Sequence, residues 1–153
     1  MKTAAIKSGG DANYGAQFLI DGVIKTGELE GNWVTDNGLT HPWIQLSLTE
    51  PLEIIGVEFS AMGHNSGSVA DKFKKIDVRA GMTSTSRPHK GHSNTAITDN
   101  PIMAYYLGPA GNREVVYITF QSPVTAQYIV VQGRNIQSNL MLTEVRIIKC
   151  KEL

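Results

Sequence analysis

The chain is 153 residues long, one domain's length, with 14 basic against 14 acidic residues and a formal net charge of zero. That balance argues against a general binder of nucleic acid or anionic membrane, which needs a basic surplus. Charged residues make up 18% and apolar residues 41%, with 15 glycines and 6 prolines, so the chain is charge-poor and turn-rich, as an all-β domain is expected to be.

A single cysteine, Cys150, leaves no intramolecular disulfide to form. No stretch reaches the roughly 18 apolar residues of a transmembrane helix. The opening Met1–Ile6 has no long apolar run of the signal-peptide kind.

In chain order, Ala16–Ile20 allows one short helical turn before Asp21-Gly22, a common turn pair. Trp43–Leu48 then alternates Ile44, Leu46 and Leu48 against Trp43, Gln45 and Ser47, which predicts a strand with one apolar face. Ile54–Phe59 predicts a second strand, with Ile55, Val57 and Phe59 sharing a face. Ser60–Ala70 is a long polar loop, leading to a strand that opens near Lys72 and carries Ile76 and Val78. Met82–Pro101, rich in Ser, Thr, Asn and Pro, is a second long loop; loops of that length usually carry function or disorder. Val115–Phe120, Gln127–Gln132 and Leu142–Ile148 complete the set of strands.

No window keeps helical apolar spacing over three turns, and several short strands separated by Gly and Pro predict a sandwich or barrel. Ile44, Leu46, Val57, Phe59, Ile118, Phe120, Val130 and Val145 are the expected core.

Chemistry-bearing patterns are few. His89-Lys90-Gly91-His92 lies in a polar loop with no cysteine beside it and reads as solvated histidines. No nucleophile elbow, zinc-protease helix or phosphate-binding loop occurs, so no enzyme is expected.

Six motifs together resemble the discoidin superfamily, and within it the F-type lectins. They are Leu19-Ile20-Asp21-Gly22; Trp33 with Pro42-Trp43-Ile44-Gln45-Leu46-Ser47-Leu48; Ile54-Ile55-Gly56-Val57; Tyr106-Leu107-Gly108-Pro109; Gln127–Gln132; and Leu140–Ile147 ending a Leu-x-Leu-x-Glu-Val run. They stand in the family's order across residues 3–148. The resemblance implies a single domain over 1–153, all-β, a discoidin-like eight-stranded jelly-roll β-sandwich with ligand loops at one end.

It also implies a secreted or extracellular glycan-binding module, acting in recognition or adhesion, with glycan or glycoconjugate as partner and self-association where cells are agglutinated. The alternative reading is a protein- or phospholipid-binding adhesion module of the same fold. A structural calcium is implied too, held by Asp21 and Glu144 with the carbonyls of Phe18, Val23 and Thr143.

The F-type lectins' fucose motif is incomplete here. Thr35 and Asp36 stand where its His would fall, Met62-Gly63-His64-Asn65 replaces its Arg-x-Asp stretch, and Lys72 alone matches its last basic position. The expected ligand site is therefore Trp33 as a stacking face, with Asp36, His64, Asn65 and Lys72 bonding to hydroxyls.

Overall fold

The computed structural model describes residues 3–7, 33–34, 39–61, 72–85, 95–138 and 140–150, with backbone alone for 3–7 and 33–34. These residues form seven strands and no α-helix: β1 (Thr3–Lys7), β2 (Trp33–Val34), β3 (Trp43–Ala61), β4 (Ile76–Gly81), β5 (Ile102–Tyr106), β6 (Val115–Gly133) and β7 (Met141–Lys149). The chain is all-β, as expected; an eighth strand is not established among the described residues. The ladder order is β2-β7-β3-β6-β4-β5, with β1 also on β3, and every pairing is antiparallel.

Two strands of 19 residues, β3 and β6, run antiparallel to each other through the whole fold. Each joins two runs that the alternation pattern had presented as separate strands. The first half of β3, through Leu48, pairs with β1 on one side and with Tyr128–Gln132 of β6 on the other. Its second half, from Ile54, pairs with β7 and with the N-terminal half of β6. The ladder slips between Ser47 and Leu52 and again between Ile54 and Gly56. Pro51 falls within the first slip and Pro123 within the second, between Thr119 and Val124 on the β6 side, where a residue with no N–H costs least.

The slips have a packing consequence. Strict period two would set Ile44 and Leu46 on the face opposite Val57 and Phe59, yet all four are buried in one core cluster. Parity changes at the second irregularity, between Ile54 and Gly56, as it does where a bulge inserts an unpaired residue. The same shift corrects one expectation: Ile54, not Ile55, joins Val57 and Phe59 inside, and Ile55 is only half-buried. Gly56 sits at the slip because a Cβ there would lie 2.4 Å from the Ile118 carbonyl oxygen of β6.

All eight expected core residues are buried. Seven share one cluster with Phe73, Ile76, Val78, Ile129 and Leu142 among others, while Val130 packs with Trp43 and Ile97 in a second. That second cluster lies on the outer face of the β3–β6 ladder, beneath the described ends of the 82–101 loop, 82–85 and 95–101. Two glutamines tie the loop down. The Gln45 side chain accepts from the Thr85 N–H at 2.8 Å and donates to Ser84 Oγ at 3.2 Å. Gln132 accepts from the Ile97 N–H at 2.6 Å. Both amides are essentially inaccessible to water, and a buried amide must find partners of this kind. Asn100 closes the loop's base, accepting from the Thr83 N–H and donating to the Thr83 carbonyl.

The strand after the first long loop opens at Ile76 and not near Lys72. Phe73 turns inward against Phe59 and Tyr106, and Lys75 adopts φ 51°, which is incompatible with an extended strand. Edge strand β5 escapes the periodicity reading because Ile-Met-Ala-Tyr-Tyr has no apolar–polar alternation.

The strapping of the outer face is testable. Gln132→Leu keeps the side chain's volume but leaves the buried Ile97 N–H without its acceptor, so unfolding free energy is expected to fall by about 1–3 kcal/mol. Urea denaturation followed by tryptophan fluorescence measures it. An unchanged midpoint would mean that the loop is not held by this bond.

Candidate functional site

One end of the sandwich gathers four connecting segments: 39–42 before β3, 72–75 before β4, 107–114 between β5 and β6, and 134–140 between β6 and β7. Backbone hydrogen bonds lock them into one surface. The Gly133 N–H donates to the Pro42 carbonyl at 2.8 Å and the Ile136 N–H to the Thr40 carbonyl at 3.0 Å. The Arg134 N–H donates to the Lys75 carbonyl at 2.7 Å, and the Lys75 N–H to the Leu107 carbonyl at 2.9 Å. The Ala110 N–H donates to the Phe73 carbonyl at 3.0 Å. His41 adds a side-chain tie, its Nδ1 lying 3.3 Å from both the Gly133 carbonyl and the Asn135 N–H.

Of the expected ligand-binding residues, Lys72 is described with its side chain; it is half-buried, one residue before inward-turning Phe73. Trp33 is described by its backbone, which pairs with Leu142 of β7. Asp36, His64 and Asn65 lie outside the described residues, as do His89 and His92.

The implied calcium site is described on its C-terminal side alone; Phe18, Asp21 and Val23 lie outside the described residues. Glu144 stands opposite Ser60 in the ladder and Leu142 opposite Ala61, which leaves Thr143 as the extra residue of a bulge. Thr143 is fully buried and donates from Oγ1 to the Ser60 carbonyl at 3.2 Å. Glu144 is 4% exposed. A carboxylate so enclosed must be met by donors or a cation, and a hard cation accepts carboxylate and carbonyl oxygens together. The described half thus fits the donor chemistry of calcium, although no three His, Cys, Asp or Glu residues converge among the described residues. β2, rather than β1, brings the N-terminal part of the chain beside this bulge.

The sequence reading passed over a second group of side chains at this end. Asp77 on β4 is 5% exposed, and its two carboxylate oxygens accept from Nε and Nη2 of Arg134, with Nε at 3.0 Å from Oδ2. The guanidinium also lies over the Tyr105 ring, 4.2 Å from its centroid, so it is held by a carboxylate fork and an aromatic face together. Hydrogen bonding to Asp77 raises the Arg134 pKa above its ordinary value. Tyr105 faces Asp77 in the β4–β5 register, and Asp77 faces Gln132 in the β4–β6 register. No local motif announces the group, because its members are 28 and 29 residues apart, from Asp77 to Tyr105 and from Tyr105 to Arg134. The one local signal is Gly133-Arg134-Asn135, a turn at the end of a strand.

Seven antiparallel strands among the described residues, with bulged long strands and a loop-built end, define an all-β sandwich. The chain belongs to the F5/8 type C domain family, whose sequence signature matches residues 2–145. No curated protein sequence matches it closely. Among solved structures it is similar to a fucolectin from striped bass (Morone saxatilis) serum, with 19% identity and a TM-score of 0.78 over 96% of this chain. It spans 46% of that lectin's length. It is also similar to the lectin domain of lectinolysin complexed with Lewis b antigen, with 17% identity, a TM-score of 0.73 and coverage of 97% of this chain and 94% of the other. A family 32 carbohydrate-binding module of Clostridium perfringens NanJ in complex with galactose shares 17% identity and a TM-score of 0.66, covering 95% of this chain and 92% of its own. At these identities the likeness is one of fold.

The Asp77–Arg134 pair should carry measurable stability. Arg134→Ala strips a nearly buried carboxylate of its donors, and the expected loss is about 1–3 kcal/mol, toward the lower figure because Arg134 is 48% exposed and water reaches the pair. The double variant Asp77→Asn with Arg134→Ala should lose less than the sum of the two single changes in chemical denaturation. Additive losses would show the two side chains to be energetically independent.

Proposed function

We propose that this domain is a non-catalytic carbohydrate-binding module that presents its loop end to a glycan. The observation that carries the reading is membership of the F5/8 type C family together with a fold shared by a fucolectin, a Lewis b-bound lectin domain and a galactose-bound module. Glycan or glycoconjugate is then the partner. An extracellular setting and a part in recognition or adhesion follow from that partner, and self-association supplies multivalency.

Two sets of residues serve the reading. Trp33, Asp36, His64, Asn65 and Lys72 form the sugar-contacting set, with Trp33 stacking on a ring and the others bonding to hydroxyls. Asp21 and Glu144, with the carbonyls of Phe18, Val23 and Thr143, form a calcium set that fixes the N-terminal segment to β7. The fit of Glu144 and Thr143 at the β7 bulge supports this second set. When bound, calcium supplies positional rigidity and not chemistry: it neutralises the buried carboxylate and holds the loop ends at a fixed spacing.

Two measurements test the proposal. A glycan array with and without calcium should show saccharide binding, weakened in EDTA. Binding to phosphatidylserine vesicles with no glycan retained would overturn the reading in favour of a lipid-binding module. Calcium at 100-fold excess over its Kd should raise the unfolding free energy by about 2.7 kcal/mol. An identical melting temperature in EDTA and in millimolar calcium would remove the metal from the scheme.

A further inference from the structure

The loop end has a distinctive charge arrangement. Among the described residues 39–42, 72–77, 105–114 and 133–138, the cationic side chains are Lys72, Lys74, Lys75, Arg113 and Arg134, and the acids are Asp77 and Glu114. Both acids are already engaged. Asp77 holds Arg134, and Glu114 accepts the Gly111 N–H through Oε2. The cations of this end without an ion pair among the described residues are therefore Lys72, Lys74, Lys75 and Arg113, in a chain whose net charge is zero.

Arg134 is the centre of this surface. Asp77 takes its Nε and one Nη2 hydrogen, and Tyr105 covers one face of the guanidinium. Nη1 and the second Nη2 hydrogen lie on the edge away from the carboxylate, in a side chain that remains 48% exposed. Lys75, also exposed, is joined to it through the Arg134 N–H···O=C bond, and Tyr105 is 43% exposed on the same side. The result is an oriented guanidinium edge against an aromatic ring, on a residue whose backbone is bonded to that of an exposed lysine, with both acids of this end already hydrogen-bonded. Such a surface offers donors and needs an acceptor-rich partner.

We propose that the Arg134–Tyr105–Lys75 surface is a subsite for the oxyanion of an acidic saccharide, a carboxylate or a sulfate carried on a sugar ring. The proposal deepens the glycan reading and rests on it. Arg134 engages the oxyanion through its outward edge, because Asp77 fixes the plane of the guanidinium before the ligand arrives. Lys75 adds a positive charge with no ion-pair partner among the described residues, and Tyr105 presents apolar surface to the ring that carries the anion. Asp77 is a positioning residue, bonded to Arg134 and not to the ligand.

The test uses the whole chain and isothermal titration calorimetry with three probes. These are hyaluronan oligosaccharides, which carry carboxylates; the same oligosaccharides with their carboxyls reduced to alcohols; and sulfated dextran oligosaccharides. The acidic probes should bind and the reduced one should bind at least about tenfold more weakly, the scale of one lost charge-assisted bond. Whichever acidic probe is tighter assigns the oxyanion. Arg134→Gln should weaken the acidic probe roughly 10- to 100-fold. Lys75→Gln has no described side-chain bond to break and serves as the fold-neutral variant; it should weaken the same probe and flatten its salt dependence while leaving the melting temperature unchanged.

Equal affinity for the reduced and acidic oligosaccharides overturns the subsite. So does unchanged affinity in the Lys75→Gln variant, or binding of inorganic polyphosphate as tight as that of the acidic sugar, which would show charge attraction alone. Neutral glycans binding on the array while all three probes fail would overturn this inference and leave the glycan-binding reading standing. Failure of every saccharide would overturn both.

Discussion

The antiparallel ladder of β3 and β6 is the constraint on which the other parts depend. Each strand is 19 residues long, and together they supply the central pairing of both halves of the fold. β1 and β7 occupy the same side of β3 at different levels, and β4 docks on the C-terminal half of β6. A pair of this length stays in register only if the hydrophobic faces agree along its whole run. Here they agree because the slip between Ile54 and Gly56 changes parity between inward-facing Ile44, Leu46 and Ile54 and inward-facing Val57 and Phe59. Without that slip, one half of β3 would turn its apolar side chains to water, at a cost of about 1.5–3 kcal/mol for each large residue exposed.

Burying the inner face leaves an outer face that is itself half covered. Gln45 and Gln132 project there among Trp43, Val130 and Ile97, and they meet backbone groups of the 82–101 loop. A polar side chain at a position that alternation marks as outward would ordinarily meet solvent. In this molecule the two glutamines act as strand-like partners for the described ends of that loop. The Thr85 and Ile97 N–H groups donate to these side chains in place of a neighbouring backbone. Asp77 continues the same row, facing Gln132 across the ladder, so the Arg134 group extends the loop's polar edge toward β5.

The two proposed sites draw on different structural devices. At β7, a bulge lets Thr143 and Glu144 be buried in succession, which regular pleating would forbid to neighbouring residues of a one-sided sheet. At the β6 end, a turn reverses the chain so that Arg134 folds back over β4 and β5. Both lie where strands end or break, the places at which a rigid sheet can aim a side chain without losing its own pairing.

Sequence alone determined the all-β class, the residues of the core and the family resemblance. Period-two alternation depends on local geometry, so Ile44, Leu46, Val57, Phe59 and Val145 declare themselves wherever their strands lie. It also pointed to Glu144 as an acid inside a strand, which is unusual enough to be read locally. It did not reveal that Trp43–Leu48 and Ile54–Phe59 are one strand, because Thr49-Glu50-Pro51 between them has the polarity of a turn and falls where the ladder to β6 is interrupted. Nor did it reveal β5, an edge strand with no alternation to show, or the Asp77–Tyr105–Arg134 group. Those three residues meet only because β4 pairs with both β5 and β6. Pairing between distant strands is set by the shape and burial of the whole core, which no single window of sequence contains.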